Sequence, residues 1–345
     1  MDSNPHFNKS GIPLVDIVLI AYNHERYVGQ AIESVLAQQT DFAYRLIIGD
    51  DCSTDNTQAI IKSYAEQYPN LIKTMLDSEH RGFRHKDRVG IKALDVCNAK
   101  YVAFLDGDDY WTDPSKLQKQ VAFLETHPDF SICYHNARMF YEDGSRETTN
   151  WLQPDHKEVS TLEDLLFVNF IPTCSVVFRR GLLGEWPDWL FTLGMADWPI
   201  HIMNAQHGKI EYLNEVMATY RVHDKGTWSS RTQVEQWLDV IRMLDHINVY
   251  LGLKYKKQVR AAKAEWYYQL AQITEREGDR VNARMFFGRY CRLSQFRDGR
   301  RKLSIFLRCY LPGLYRGLRT FRNRVQPNGT SANSPLANST GSKGE

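Results

Sequence analysis

The sequence predicts an α/β fold: a mainly parallel central sheet with helices on both faces, followed by a helical C-terminal region. Three observations point there. Short β-branched runs alternate with helix-spaced segments over roughly the first 225 of 345 residues, the order that builds parallel sheets with crossover helices. Carboxylates follow directly on two of the predicted strands, at the edge where open α/β sheets bind ligands. Beyond Thr232 the strand pattern stops and long helical segments take over.

The elements follow in order. "VDIVLI" (Val15–Ile20) is short and β-branched, as a buried strand should be. In "ERYVGQAIESVLAQQ", Tyr27, Ala31, Val35 and Leu36 share one helical face. "YRLIIG" is the second strand, and "STDNTQAIIKSYAEQY" a helix with Ser and Thr cap candidates that ends before Pro69. "LIKTML" is the third strand, "DRVGIKALDVC" a helix and "YVAFL" the fourth strand. "DPSKLQKQVAFLETHP" reads as a helix with Asp113 as its cap, Pro114 in its first turn and Pro128 beyond its end. Strands are then expected at "SICYHNARMF", "TCSVVFR" and "EVMATYRV", and helices at "TLEDLLFV" and "DWPIHIMNAQHG". Three further helices fill Thr232 to about Gln295, with Gly278 and Asp279 breaking the last two into a hairpin.

Composition narrows the function classes. A net charge of +2 is too small for nucleic acid to be the expected partner. The six cysteines are scattered without a C-x-x-C pair, so neither a zinc ribbon nor a redox motif is expected, and the thiols should be free. The first residues, "MDSNPHFNKSGIP", hold no apolar signal core, and no run reaches 18 apolar residues. A reducing, cytoplasmic location is the expectation.

The chemistry sits at the strand ends. "YVAFLDGDDYW" gathers Asp106, Asp108 and Asp109 within four residues. Their mutual repulsion is offset if Asp106 and Asp108 aim at one hard dication, which takes oxygen ligands from one or two carboxylates and substrate phosphates; otherwise they form an acidic turn before the next helix. In "IIGDDCSTDNT", Asp50 and Asp51 either accept from a base N–H or ribose hydroxyl, or make an Asx turn. In "AYNHERYV", Ala21, Tyr22 and Asn23 offer backbone groups and an aromatic face to a base, or simply turn the chain.

Taken together, "VDIVLIAYNHERYVGQAIESVLAQ", "IIGDDCSTDNT" and "AKYVAFLDGDDYWTDPSKLQKQV" resemble glycosyltransferase family 2, over roughly Pro13 to Trp228. The resemblance implies the GT-A fold and an inverting transfer from a nucleotide-diphosphate sugar. It places Ala21, Tyr22, Asp50 and Asp51 around the nucleoside, and Asp106 and Asp108 as the D-x-D pair at ribose, diphosphate and a Mn²⁺ or Mg²⁺ ion, with Gly107 giving room for the donor. "GMADWPIHIMNAQHGKIEYLNEVMATYRVHDKGTWS" resembles the part that supplies the base, which makes Asp197 the base; a plain N-cap is its other reading. His223 matches a histidine that in related enzymes approaches the metal or diphosphate, against a packed histidine; Arg221 is an alternative partner for a carboxylate. The sequence departs from many relatives at "HRGFRHKDRVGIKAL", where Arg81, Arg84, Lys86 and Arg88 are the candidates for phosphate, Arg84 foremost.

The expected organisation is a tail over 1–12, a GT-A domain over 13–230, a helical region over 231–325 and a polar, disordered tail over 326–345. Within residues 297–324, nine Lys/Arg stand against one Asp, interleaved with apolar side chains. This stretch either lies on an anionic membrane, which would suit a lipid-linked acceptor, or packs on its own domain. Two other functions compete with this one. A sugar nucleotidyltransferase needs a Gly-rich basic loop that "AYNHERYV" lacks, and a non-catalytic module of the same fold has no need of Asp106, Asp108 and Asp197. A dehydrogenase or P-loop enzyme is excluded by the missing glycine motifs.

Overall fold

The computed structural model describes residues 12–315 apart from 83, 225, 227, 229, 295–298 and 312. The tail expected over 1–12, except its last residue, the tail over 326–345, and residues 316–324 of the basic stretch lie outside the described residues. The chain divides into two units. The first runs to Leu165 and resumes over Asn169–Gly226; the second takes Leu166–Val168 and the chain from Thr227 onward.

The first unit opens with β1 (Val15–Ala21), α1 (Val28–Leu36), β2 (Tyr44–Asp50), α2 (Thr57–Gln67), β3 (Ile72–Leu76), α3 (Val89–Asp95) and β4 (Tyr101–Asp106). It continues with β5 (Tyr110–Trp111), α4 (Lys116–Thr126), β6 (Phe130–Tyr141), β7 (Thr149–Asn150), β8 (Val159–Ser160), α5 (Leu162–Leu165), β9 (Val177–Arg179), α6 (Asp197–Ala205) and β10 (Lys209–Val222). The sheet order is β3-β2-β1-β4-β9-β6-β10-β5, with β7 on β6 and β8 on β10. β1 to β4 pair parallel, as do β6 and β10, while the short β5, β7, β8 and β9 pair antiparallel. Val15, Ile17 and Leu19 are fully buried, and so are Val28, Ala31, Ile32 and Val35 of α1 packed against them.

One polar residue inside β1 is explained by its partners. Asp16 is fully buried, yet it accepts from Arg45 Nε at 2.9 Å and from the main-chain amides of Asn98 and Ala99 at 2.7 and 2.9 Å. Hydrogen bonds of this kind offset the cost of burying a carboxylate. Asp16 ties the N-terminal ends of β1, β2 and β4 together, at the edge of the sheet away from the acidic turn.

Local differences from the sequence reading have local causes. Ser53 and Thr54 do not cap α2: Ser53 Oγ serves Asp50 and Thr54 Oγ1 serves Asn23, the N-cap residue Asn56 makes no side-chain cap bond, and the Thr57 amide donates to Asp55 Oδ1 at 2.9 Å. Asp113 does not cap α4 directly; it accepts from the Ser115 amide and hydroxyl, closing an Asx turn just ahead of the helix. "TCSVVFR" begins as a 3₁₀ turn at Thr173–Ser175, because Ser175 donates back to Pro172 O through both its amide and its hydroxyl. "TLEDLLFV" holds a helix of only four residues before the chain passes to the second unit at Leu166.

The second unit contains α7 (Gln233–Tyr250), α8 (Lys256–Arg276), α9 (Arg280–Leu293) and α10 (Gly299–Tyr310). Thr232 and Glu235 form a capping box on α7. Gly278, at φ +84°, ends α8 in the left-handed region and Asp279 caps α9, which makes the expected hairpin. Trp266, Leu270 and Ala271 of α8 and Ala283, Phe286 and Tyr290 of α9 are buried. All six cysteines are free thiols. Among the described residues, no helix is long and apolar enough to cross a membrane.

Candidate active site

The parallel half of the sheet brings the C-terminal ends of β1, β2 and β4 to one rim, with Ile20 opposite Asp106 and Ala21 opposite Asp50. β4 ends in Asp106 and the chain turns at once: Asp109 N donates to Asp106 O at 3.0 Å and Gly107 N to Ile20 O at 2.8 Å. A Cβ on Gly107 would lie 2.9 Å from His24 Nδ1, 3.0 Å from Ala21 Cβ and 3.2 Å from Ile20 O. A side chain at this position would collide with His24 and the end of β1, so the turn requires glycine.

The three carboxylates of the turn have separate surroundings. Asp109 is buried and accepts from Arg221 N at 2.8 Å, so it fixes the end of β10. The Arg221 guanidinium donates to Asp108 O and to Gln30 Oε1, both at 2.8 Å, and lies over the Tyr27 ring. With the end of β10 held in this way, His223 Nε2 sits 3.0 Å from Asp108 Oδ2. His24 Nε2 approaches the same oxygen at 3.6 Å. One ligand atom from each of His24, Asp108 and His223 lies within 4.8 Å of the others.

Electrostatics separate the carboxylates further. Burial, with Asp108 and Asp197 nearby, pushes the Asp106 carboxyl well above its ordinary range. Burial, with Asp108 and Asp106, does the same to Asp109. Asp108 moves the opposite way: burial raises it, but the hydrogen bond to His223 and the charges of His24 and His223 outweigh that and hold it low. Burial pulls the His24 imidazole down against the attraction of Asp108.

Asp197 is the first residue of α6, and Ala196 rather than Asp197 takes the N-cap position. Its Oδ2 accepts from Asn169 Nδ2 at 3.0 Å and Thr173 Oγ1 at 3.4 Å. Its Oδ1 has no hydrogen-bond partner among the described residues. One turn along, His201 is fully buried and drawn down to about 4 by burial, against the opposing charge of Asp197.

The residues expected at the nucleoside gather on the β1–β2 side. Asp50 is fully buried, with its carboxylate accepting from the Ser53 amide, the Ser53 hydroxyl and Gln58 Nε2. Asp51 is almost buried and holds the following loop by accepting from Arg81 N at 2.9 Å and Gly82 N at 2.8 Å. Asn23, at φ 55°, accepts from Thr54 N at 2.8 Å. Ala21 is buried and its carbonyl accepts from Asp51 N at 3.1 Å. Tyr22 stacks on His80, ring centres 4.2 Å apart. Of the basic candidates, Arg84 is exposed. Arg88 is buried over the Phe191 ring and pushed down to about 10 by burial.

Sequence reasoning did not single out His24, His80, Asn169 or Thr173. His24 stood inside the quoted "AYNHERYV", but nothing in its spacing tied it to Asp108. Asn169 and Thr173 lie in a segment without a motif.

Comparison with known proteins bears on the fold and the family. The family model described as Glycosyl transferase family 2 matches residues 16–185. An uncharacterized protein of Mycobacterium tuberculosis is 39% identical over 63% of this chain and 61% of its own length, so the chain spans about three fifths of that relative. TuaG of Bacillus subtilis, which bears the name of a teichuronic acid biosynthesis glycosyltransferase, is 30% identical over 64% of this chain and 83% of its own. Two solved structures share the fold. TarS 1-349 of S. aureus, in complex with UDP-GlcNAc, has a TM-score of 0.52 at 19% identity, covering 82% of this chain and 93% of its own. The mannosyltransferase PcManGT of Pyrobaculum calidifontis, with GDP-Man and Mn²⁺, has a TM-score of 0.55 at 16% identity, covering 92% and 88%. The fold is GT-A, and the chain belongs to glycosyltransferase family 2.

Proposed function

We propose that the protein is a metal-dependent inverting glycosyltransferase, moving a sugar from a nucleotide-diphosphate sugar to a hydroxyl of a glycan or lipid-linked acceptor in cell-surface polysaccharide assembly. The carrying observation is convergence. His223 from the end of β10 hydrogen-bonds Asp108 after β4, and Asp197 from the start of α6 is near enough for its charge to act on Asp106, although these residues lie far apart in the chain. The names of the relatives support the substrate class: UDP-GlcNAc with TarS, GDP-Man and Mn²⁺ with PcManGT, teichuronic acid with TuaG.

Asp197 is the base. With Oδ2 held by Asn169 and Thr173, Oδ1 is left to take the proton of the acceptor hydroxyl as that oxygen attacks the anomeric carbon. A single base suffices for an inverting displacement of a good leaving group. Asp106 and Asp108 would hold Mn²⁺ or Mg²⁺, and the His223 imidazole beside Asp108 tilts the choice toward Mn²⁺. When bound, such an ion supplies Lewis-acid stabilisation of the departing diphosphate. Tyr22, Asn23 and the Asp50–Asp51 pair shape the wall where the nucleoside lies, and Arg84 is exposed for the phosphates. Thermal-shift screening of nucleotide sugars with Mn²⁺ tests the reading, since a ligand at a hundred times its Kd adds about 2.7 kcal/mol. One nucleotide class should raise Tm in wild type and not in Asp108→Ala. The absence of any such shift across the common donors contradicts the proposal.

The membrane partner is proposed on the exposed apolar side chains of α10 and the residues after it. Leu303 and Leu314 are more than half exposed, and Phe306, Tyr310 and Leu311 are exposed beside them. Part of the basic charge is spent internally, Arg301 on Glu265 and Arg308 on Glu275. Flotation with anionic liposomes should bring up the full chain and lose it on Leu303→Ser with Phe306→Ser; equal flotation contradicts the contact.

A further inference from the structure

We infer that His24 is a ligand of the metal, so that the site holds a dication through two imidazoles and one carboxylate before any nucleotide arrives. The inference rests on the metal-dependent reading above and deepens it. Three observations carry it.

The first is the state of the His24 ring. Its side chain is only 13% exposed, yet neither ring nitrogen makes a hydrogen bond among the described residues. Nδ1 is buried against Gly107, and Nε2 stands 3.6 Å from Asp108 Oδ2, beyond hydrogen-bonding range. With Nδ1 closed off against Gly107, Nε2 is the ring nitrogen left to meet an ion on the Asp108 side.

The second is geometry. His223 Nε2 and His24 Nε2 lie 3.0 and 3.6 Å from the same Asp108 oxygen. Ligand atoms at about 2.1 Å from an ion are about 3.0 Å apart when cis in an octahedron and about 3.4 Å apart in a tetrahedron. The His223 separation matches cis ligands, the His24 separation is slightly wider than the tetrahedral value, and all three ligand atoms lie within 4.8 Å of one another.

The third is how the ring is held. His24 N donates to Thr57 Oγ1 at 2.8 Å, and His24 O accepts from Tyr27 N and Val28 N, which starts α1. Gly107, lying between the two D-x-D carboxylates, is the only residue type that lets the ring come this close, because any Cβ there would meet Nδ1 at 2.9 Å. His24 thus has a fixed backbone and a cleared approach to Asp108.

The consequence is a change of metal chemistry. A site of carboxylates alone leans on substrate phosphates to complete the shell, whereas imidazoles favour transition metals over Mg²⁺. The protein should therefore bind Mn²⁺ or Zn²⁺ without nucleotide and hold it against excess Mg²⁺.

The test uses the full chain with Mn²⁺ alone. Pulsed EPR of bound Mn²⁺ should show couplings from two imidazole nitrogens in wild type and from one in His24→Ala. The Mn²⁺ Kd from titration of the free-ion signal should rise at least tenfold in that variant. The nitrogen count in wild type decides the matter even if the variant folds poorly. Two nitrogens, with Mg²⁺ failing to displace the ion, support the inference. One nitrogen in wild type, lost in His223→Ala, overturns His24 as a ligand and leaves the proposed function standing. No Mn²⁺ bound at Asp108, with or without a nucleotide diphosphate, overturns both.

Discussion

Replacing Lys116 by methionine probes the floor beneath the acidic turn. Lys116 is fully buried, and its Nζ has no hydrogen-bond partner among the described residues. It lies 4.0 Å from the centre of the Trp111 ring, whose indole N–H donates to Cys174 O at 2.8 Å. Burial pushes the ammonium down from 10.5 to about 7. Between those pH values the unfolded chain binds a proton that the folded chain does not, so stability rises with pH across the window and is lost as pH falls toward 7. Between pH 9 and pH 7 the linkage amounts to about 2 kcal/mol, at 1.36 kcal/mol per unit. Cys133 and Cys174 beside it are held protonated by burial and stay silent over this range. Methionine removes the titration and keeps most of the volume. The assay is thermal and urea unfolding of wild type and K116M at pH 7, 8 and 9. The stability difference should move in favour of K116M by about 2 kcal/mol from pH 9 to pH 7, or roughly 4–8 °C in Tm for a domain of this size. Parallel pH profiles for the two proteins would refute the reasoning and mean that Nζ reaches water or a partner.

Two further outcomes follow from the site. Asn169→Ala removes the nearer donor to Asp197 Oδ2 and should lower kcat about tenfold with donor KM unchanged, while Thr173→Ala, at 3.4 Å, should do less; a donor KM that climbs as kcat falls would place Asn169 at the donor instead. Gly107→Ala drives a Cβ into His24 and Ala21, and overpacking of that kind costs about 1–3 kcal/mol. Unfolding should register that loss, and Mn²⁺ binding should weaken with it; an unchanged Tm would mean that the β1 end yields freely.

Much of this was legible in the sequence because it rests on short-range pattern. "VDIVLI", "YRLIIG" and "YVAFL" are β-branched runs long enough for one buried strand each, and the helices between them carry their apolar residues at helical spacing. Strand ends then bring Asp50 and Asp106 to one rim by topology alone. What was not legible depends on approach in three dimensions. The pairing of His24 with Asp108 needs the turn after β1, the missing side chain at Gly107 and the end of β10 at once. Asn169 and Thr173 reach Asp197 through a loop and a 3₁₀ turn whose sequences carry no periodicity. Asp16 reads as a misplaced charge within an apolar run until Arg45, Asn98 and Ala99 are seen around it. The caps of α2 were misassigned because Ser53 and Thr54 had stronger local partners in Asp50 and Asn23, and the structure uses those.

The most direct measurement is release of nucleoside diphosphate and transfer of sugar from the donor matched by thermal shift, followed by NMR in the presence of Mn²⁺, for wild type beside Asp197→Asn. The account predicts a product of inverted anomeric configuration in wild type and a turnover about 10²–10⁴-fold lower in the variant, with donor binding retained. Full turnover in Asp197→Asn, or a product of retained configuration, would contradict it.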